Sequence, residues 1–86
     1  MIWEIVIGHK AKKTLASLPK SLRERILMAI DRLRYGPYQP DLDVKPLRGR
    51  PEWRLRVGDW RVLFLIDENE IKIVIVHVNP RGDVYK

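Results

Sequence analysis

Arginine and tyrosine side chains cluster in the second half of the chain at spacings that suit phosphate chemistry. Arg54, Arg56 and Arg61 lie in the segment RLRVGDWR, and Arg81 and Tyr85 lie in the terminal segment RGDVYK. A guanidinium offers a planar pair of donors to phosphate oxygens, and a tyrosine ring offers a surface on which an unstacked base can lie. This combination favours single-stranded RNA over duplex DNA as a ligand.

The arginines are placed by a predicted β-hairpin. Gly58 and Asp59 separate two runs of alternating apolar residues, which predicts a two-residue turn. The turn predicts five opposing pairs, which are Val57 with Trp60, Arg56 with Arg61, Leu55 with Val62, Arg54 with Leu63, and Trp53 with Phe64. Alternation then assigns one face to packing under helices, formed by Trp53, Leu55, Val57, Trp60, Val62, Phe64 and Ile66, and leaves the three arginines on the other.

The pairing of Arg56 with Arg61 bears on function. Like charges directly opposite each other destabilise a sheet, so this pair favours an anionic ligand lying over it. The alternative is that the three arginines only keep an exposed face soluble.

A third strand is predicted from the apolar run IKIVIVHV at 71–78. Alternation assigns Ile71, Ile73, Ile75 and His77 to the helix-packed face, and Lys72, Val74, Val76 and Val78 to the arginine face. We therefore interpret His77 as a core histidine. Asn79 and Pro80 end this strand near the hairpin turn, so Arg81 and Tyr85 are expected to fold back towards the arginines. The alternative for Tyr85 is that it caps the sheet edge or the core.

The elements that position these strands come first in the chain. A strand is predicted at 2–7, a short basic helix from His9 to the break at Pro19, and a second helix that begins with Ser21 and Glu24 as a capping box and ends at 36–37. The segment 37–51 carries four of the six prolines and is predicted to be an irregular connector. The resulting fold class is α+β.

Composition limits the function classes. The chain of 86 residues predicts a single domain spanning 1–86, and a net charge of +6 favours polyanions or an acidic protein segment as partners. There is no cysteine, and the two histidines are too few to suggest a metal site. No apolar run approaches the roughly 18 residues of a membrane span, so we expect a soluble, cytoplasmic protein without a membrane partner, metal or small-molecule cofactor.

The segments VKPLRGRPEWRLRVGDWRVLFLI and VIVHVNPRGDVYK, together with KAKKTLASLPKSLRERI, resemble the RelE/ParE superfamily of bacterial and archaeal toxins over nearly the whole chain. The resemblance implies a RelE-like microbial RNase-type fold, in which an N-terminal strand and a two-helix hairpin pack on a small twisted, mostly antiparallel sheet in the order β-α-α-β-β-β. It also implies a type II toxin–antitoxin system with a cognate acidic or amphipathic antitoxin.

The RelE branch of this superfamily cleaves mRNA in the ribosomal A site, without a metal, by attack of the ribose 2′-OH on the adjacent phosphate. By resemblance, Arg61 stabilises the phosphate charge, Arg81 holds or protonates the leaving group, and Tyr85 stacks on the nucleotide. The additional phosphate-binding positions are Arg54, Arg56, Lys45 and Lys86.

The general base for this reaction stays open. RelE-type proteins can carry lysines where this chain has Arg54 and Arg56, and a guanidinium effectively cannot lose its proton. Lys45, Lys72 and Lys86 are the remaining lysine candidates. A ParE-like inhibitor of DNA gyrase and a weakened, antitoxin-binding toxin are the alternative functions, and retention of both Arg81 and Tyr85 favours the ribonuclease.

Overall fold

The computed structural model describes residues 2–80 of the chain. One strand precedes two helices, and four strands follow a 3₁₀ turn at Leu33–Tyr35. The elements in order are β1 (Glu4–Ile7), α1 (His9–Ser17), α2 (Lys20–Arg32), β2 (Val44–Pro46), β3 (Trp53–Val57), β4 (Trp60–Asp67) and β5 (Lys72–Pro80). The predicted α+β class is confirmed.

All five strands form one sheet in the order β1-β5-β4-β3-β2. The strands β2, β3, β4 and β5 pair as antiparallel neighbours, whereas β1 pairs with β5 in parallel. A parallel neighbour needs a crossover connection, and the two helices together with the later strands supply it. The mostly antiparallel sheet is therefore confirmed.

The core lies between the two helices and one face of the sheet. Phe64, Ile26 and Ile73 are fully buried there, and the partly buried Trp53 and Trp60 pack against this core. The other buried members of this core are Ala11, Leu15, Ile30, Leu33, Leu55, Val57, Val62, Ile75 and Val78. The hairpin residues assigned to the helix-packed face thus lie where alternation predicts.

Two local expectations about helix boundaries and the connector are wrong. The second helix begins at Lys20 with Pro19 as its N-cap and no side-chain cap, because Ser21 already lies inside the first turn. The connector contains strand β2, whose pairing with β3 extends the sheet by one edge strand. Pro46 ends that strand, and proline is tolerated at a sheet edge because it needs no partner for an N–H group.

Within residues 2–80, neither helix is long and apolar enough to cross a membrane.

Candidate nucleic-acid interface

The turn between β3 and β4 sets the geometry of the arginines. Gly58 has a φ of +58°, a conformation that an L side chain rarely adopts. A Cβ atom on Gly58 would lie 3.0 Å from one guanidinium nitrogen of Arg25, which reaches this turn from α2. All five predicted cross-strand pairs are present, including Arg56 opposite Arg61. The hairpin register is therefore confirmed.

Two rows of side chains cross the sheet face that the helices leave uncovered. Pairing places Lys45 of β2 opposite Arg54 of β3, Arg54 opposite Leu63 of β4, and Leu63 opposite His77 of β5. Residues that pair directly share a face of the sheet. This first row therefore contains Lys45, Arg54 and His77, with Leu63 between Arg54 and His77.

The second row lies one step closer to the hairpin turn. Arg56 of β3 lies opposite Arg61 of β4, which lies opposite Asn79 of β5. The Arg56 Nε donates to the carbonyl oxygen of Gly58 at 3.4 Å, which directs that side chain towards the turn. We name the surface made by the two rows the basic face, and its members are Lys45, Arg54, Arg56, Arg61, Leu63, His77 and Asn79.

Arg54 is held by a neighbouring carboxylate. One of its guanidinium nitrogens lies 2.8 Å from Oδ1 of Asp43, and its side chain is only 11% exposed, against 47% for Asp43. The backbone N–H of Arg56 also donates to the carbonyl oxygen of Asp43 at 3.0 Å. Asp43 therefore fixes the orientation of Arg54 and offsets part of the positive charge of the basic face.

A second carboxylate borders the basic face just before β3. The guanidinium of Arg50 donates to both carboxylate oxygens of Glu52, at 3.2 and 2.9 Å. These hydrogen bonds lower the pKa of Glu52 most, a backbone hydrogen bond and then the charges of Arg50 and His77 also lower it, and burial opposes them. Glu52 is therefore a weak proton acceptor.

The predicted faces of His77 and Val78 are wrong. Leu63 pairs with His77 but Phe64 pairs with Ile75, so Val76 is the extra residue of a β-bulge. The bulge shifts the alternation by one position. His77 consequently lies half-buried on the basic face, whereas Val78 is 1% exposed and belongs to the core. Ile71 also departs from its predicted place, because it ends the preceding turn with a φ of +52°.

The structure brings four of the sequence-predicted site residues together, namely Lys45, Arg54, Arg56 and Arg61. The other three lie outside the described residues 2–80, and they are Arg81, Tyr85 and Lys86. Lys72, a candidate base, pairs with Asp67 near the opposite end of β5. Its pairing position is separated from the two rows of the basic face.

Sequence reasoning missed three residues that shape the basic face. Asp43 lies in the segment 37–51 that is predicted to be irregular, and Glu52 directly follows that segment. Only the pairing of β2 with β3 brings Asp43 to Arg54. His77 was placed on the wrong face because a run of β-branched residues gives no sign of a bulge. The spacing of Asp43 and Arg54 by eleven residues carries no local signal either.

Away from the basic face, Tyr38 makes a separate polar contact. Its hydroxyl donates to Glu68 at 2.8 Å, and its ring meets Trp53 edge-on at 5.6 Å. Burial, followed by the hydrogen bond and charge of Glu68, raises the pKa of Tyr38. Over the described part of the chain, no group of three or more histidine, aspartate or glutamate side chains could hold a metal ion.

Comparisons with known proteins converge on one group. The family model described as the ParE toxin of the type II toxin–antitoxin system parDE matches residues 5–85. The chain is 34% identical to Toxin RelG of Mycobacterium tuberculosis over 84 residues, which covers 88% of this chain and 87% of that protein.

Two solved structures share the fold closely. The archaeal RelE-RelB complex of Pyrococcus horikoshii OT3 contains a chain with 33% identity and a TM-score of 0.82, covering 98% of this chain and all of that one. The toxin–antitoxin complex RelBE2 of Mycobacterium tuberculosis contains a chain with 25% identity and a TM-score of 0.81, covering 94% of this chain and all of that one.

Proposed function

The chain belongs to the RelE/ParE superfamily of toxins from type II toxin–antitoxin systems, and on that premise we propose that it is a ribosome-dependent endoribonuclease that cleaves mRNA in the A site. The observation that carries the proposal is the convergence of Lys45, Arg54, Arg56 and Arg61 on the sheet face opposite the helices. Such a surface suits a strand of RNA whose phosphates run across the two rows.

The proposed reaction is metal-free transesterification. The ribose 2′-OH attacks the adjacent phosphate, and the products are a 2′,3′-cyclic phosphate and a 5′-OH. The transition state carries more negative charge on phosphorus oxygens than the substrate does, so preorganised donors accelerate the chemical step. Arg61 lies at the centre of the second row and is assigned to this charge. Arg54, Arg56 and Lys45 are assigned to the flanking phosphates.

The remaining roles belong to residues beyond the described range. Arg81 is proposed to hold the leaving oxygen as a hydrogen-bond donor, Tyr85 to stack on the nucleotide, and Lys86 to add phosphate-binding charge. Asn79 pairs with Arg61, and Pro80 pairs with Trp60. The chain therefore enters its last six residues beside the arginine that is assigned to the phosphate, which supports these assignments.

Toeprinting on programmed ribosomes tests the proposal. Wild-type protein should produce cuts within the A-site codon, and the same mRNA without ribosomes should be cut poorly. The cleaved ends should carry a 2′,3′-cyclic phosphate and a 5′-OH. Intact message on ribosomes at saturating toxin would refute the ribonuclease assignment.

Inhibition of DNA gyrase is the second candidate function, and the match to a ParE family model favours it. Against it, two proteins of higher identity carry RelE-type names, namely Toxin RelG at 34% and the chain of the Pyrococcus horikoshii RelE-RelB complex at 33%. A supercoiling assay with purified gyrase, run on the same preparation as the toeprinting assay, separates the two. Loss of supercoiling with unaffected translation would identify a gyrase inhibitor, and loss of neither would identify a weakened toxin that retains antitoxin binding.

The proposed protein partner is a cognate antitoxin with an acidic, amphipathic segment, consistent with toxin–antitoxin complexes among the solved relatives. Val74 and Val76 lie half-buried beside the basic face and offer apolar contact area next to the arginines. On the other side of the molecule, an open groove of about 960 Å³ runs along α2, where Met28 is 71% exposed.

We propose that the antitoxin covers part of the basic face and so competes with RNA. Adding antitoxin should then displace the toxin from ribosomes in a co-sedimentation assay. Simultaneous binding of antitoxin and ribosome with unaltered affinities would contradict this arrangement.

A further inference from the structure

The proposed ribonuclease reaction needs a group that accepts the proton of the attacking 2′-OH, and arginines cannot serve. The histidine that the bulge turns onto the basic face is placed for this task. His77 lies in the same row as Lys45 and Arg54, and Leu63 separates it from Arg54. It is one of two histidines in the chain.

We propose that His77 is the general base of the cleavage reaction, an inference that rests on the proposed function. The 2′-OH gives its proton to the unprotonated ring nitrogen of His77, and the 2′ oxygen forms its bond to phosphorus. The bond between phosphorus and the 5′ oxygen then breaks, the electron pair stays on that oxygen, and a proton from water completes the 5′-OH. The imidazolium afterwards returns its proton to solvent.

The distances within the sheet allow this assignment. Arg61 pairs with Asn79, two residues after His77 in β5, so the two side chains are diagonal neighbours on one face, about 7 Å apart at their bases. A phosphate held by Arg61 can therefore present its ribose to the imidazole. Leu63 is 1% exposed although it faces away from the helices, and it provides an apolar floor between Arg54 and His77.

The other described polar groups around the basic face are poorer proton acceptors. Asp43 is bound to Arg54, and Glu52 is bound to Arg50 with a lowered pKa. Lys45 lies exposed on the edge strand β2, away from the half-buried part of the basic face. Imidazole can accept a proton near neutral pH, which suits it to the role of general base.

The charges around His77 come from every neighbouring element. On its own face, β2 contributes Lys45, β3 contributes Arg54 and Arg56, β4 contributes Arg61, and Glu52 lies just before β3. Towards the far end of β5, the facing charges are Glu4, Asp67 and Lys72. The helix α1 packs against β5 and carries His9, Lys10, Lys12 and Lys13, all exposed.

Single-turnover cleavage of ribosome-bound mRNA, measured across pH, tests the assignment. For wild-type protein the rate should rise with pH through the imidazole range and then level off. His77→Gln should lower the rate by roughly 10²- to 10⁴-fold and remove that rise. Free imidazole should restore part of the activity of His77→Ala. His9→Gln, which changes the other histidine at the start of α1, is the matched control and should keep both the rate and the pH profile.

Each outcome has a defined meaning. If wild-type protein does not cleave on ribosomes, the proposed function fails and this inference fails with it. If wild-type protein cleaves and a folded His77→Gln variant keeps the rate and the pH-dependent rise, the inference is overturned while the proposed function stands. Loss of rate and of the pH-dependent rise, with imidazole rescue, supports His77 as the base.

A measurement on unmodified protein covers the case in which the His77 variants do not fold. The two histidines should be followed by NMR titration with and without an oligoribonucleotide that carries 2′-O-methyl groups and cannot be cleaved. Binding should shift the titration of His77 and leave that of His9 unchanged. Identical titration of both histidines in free and bound protein would overturn the inference.

Discussion

Replacing Asp43 with asparagine removes the carboxylate that holds Arg54 on the basic face. Exposed ion pairs contribute about 0.2–1 kcal/mol to the free energy of unfolding, and hydrogen bonds to charged groups about 1.5–3 kcal/mol. The pair lies between these cases, because the Arg54 side chain is 11% exposed and that of Asp43 is 47% exposed. We expect Asp43→Asn to lower the free energy of unfolding by about 1–2 kcal/mol.

That loss corresponds to a fall in Tm of roughly 4–16 °C for a domain of this size. The assay is thermal unfolding followed by circular dichroism at low and at high salt. Asp41→Asn is the matched control, because Asp41 pairs with Arg32 and both side chains are about half exposed, at 60% and 48%. The control should lose less stability, and its smaller deficit should disappear near 1 M salt, where the screening length is about 3 Å.

Asp43→Asn should also free the Arg54 guanidinium to bind phosphate. RNA or an added phosphate analogue should therefore raise the Tm of this variant by more than it raises the Tm of wild-type protein. Equal loss of Tm in the Asp43 and Asp41 variants would refute the argument that the burial of Arg54 decides the strength of this pair. A ligand that stabilises wild-type protein and the Asp43 variant equally would show that the carboxylate does not compete with phosphate.

Three further outcomes are expected. Arg61→Ala should lower the rate of single-turnover cleavage on ribosomes by roughly 10²- to 10³-fold. Arg61→Lys should keep only part of the wild-type rate, because a point charge replaces a planar pair of donors. Unchanged rates in folded variants would show that Arg61 does not take part in the reaction. Because the pKa of Glu52 is lowered from 4.5, its contribution to stability is present above that pH and is lost as pH falls further. The Tm difference between wild-type protein and Glu52→Gln should therefore be present at neutral pH and vanish in acid. A difference that grows in acid would contradict a lowered pKa of Glu52. Deleting Val76 should leave a folded protein whose Tm is closer to wild type than that of a Val74 deletion, since the first removes a bulge residue and the second a paired one.

Local sequence patterns determined most of the fold. The alternation of apolar residues on both sides of Gly58 predicts the hairpin and all five of its pairs, because side-chain direction in a strand repeats every two residues. Helical spacing around Leu15 and Ile26 predicts two helices that cover one sheet face, and both residues are buried there. These features depend only on residues close together in the chain.

The composition of the basic face needed the tertiary structure. Asp43 reaches Arg54 only because the three-residue edge strand β2 pairs with β3. The proline-rich segment that contains β2 carries no local pattern that predicts this pairing. His77 reaches the same face only because β5 carries one more residue than β4 at Val76. A bulge depends on how two paired strands fit against a common core, so the alternation of residues within one strand does not predict it. The arginines could therefore be found in the sequence, whereas the carboxylate that orients one of them and the imidazole beside them depended on strand pairing.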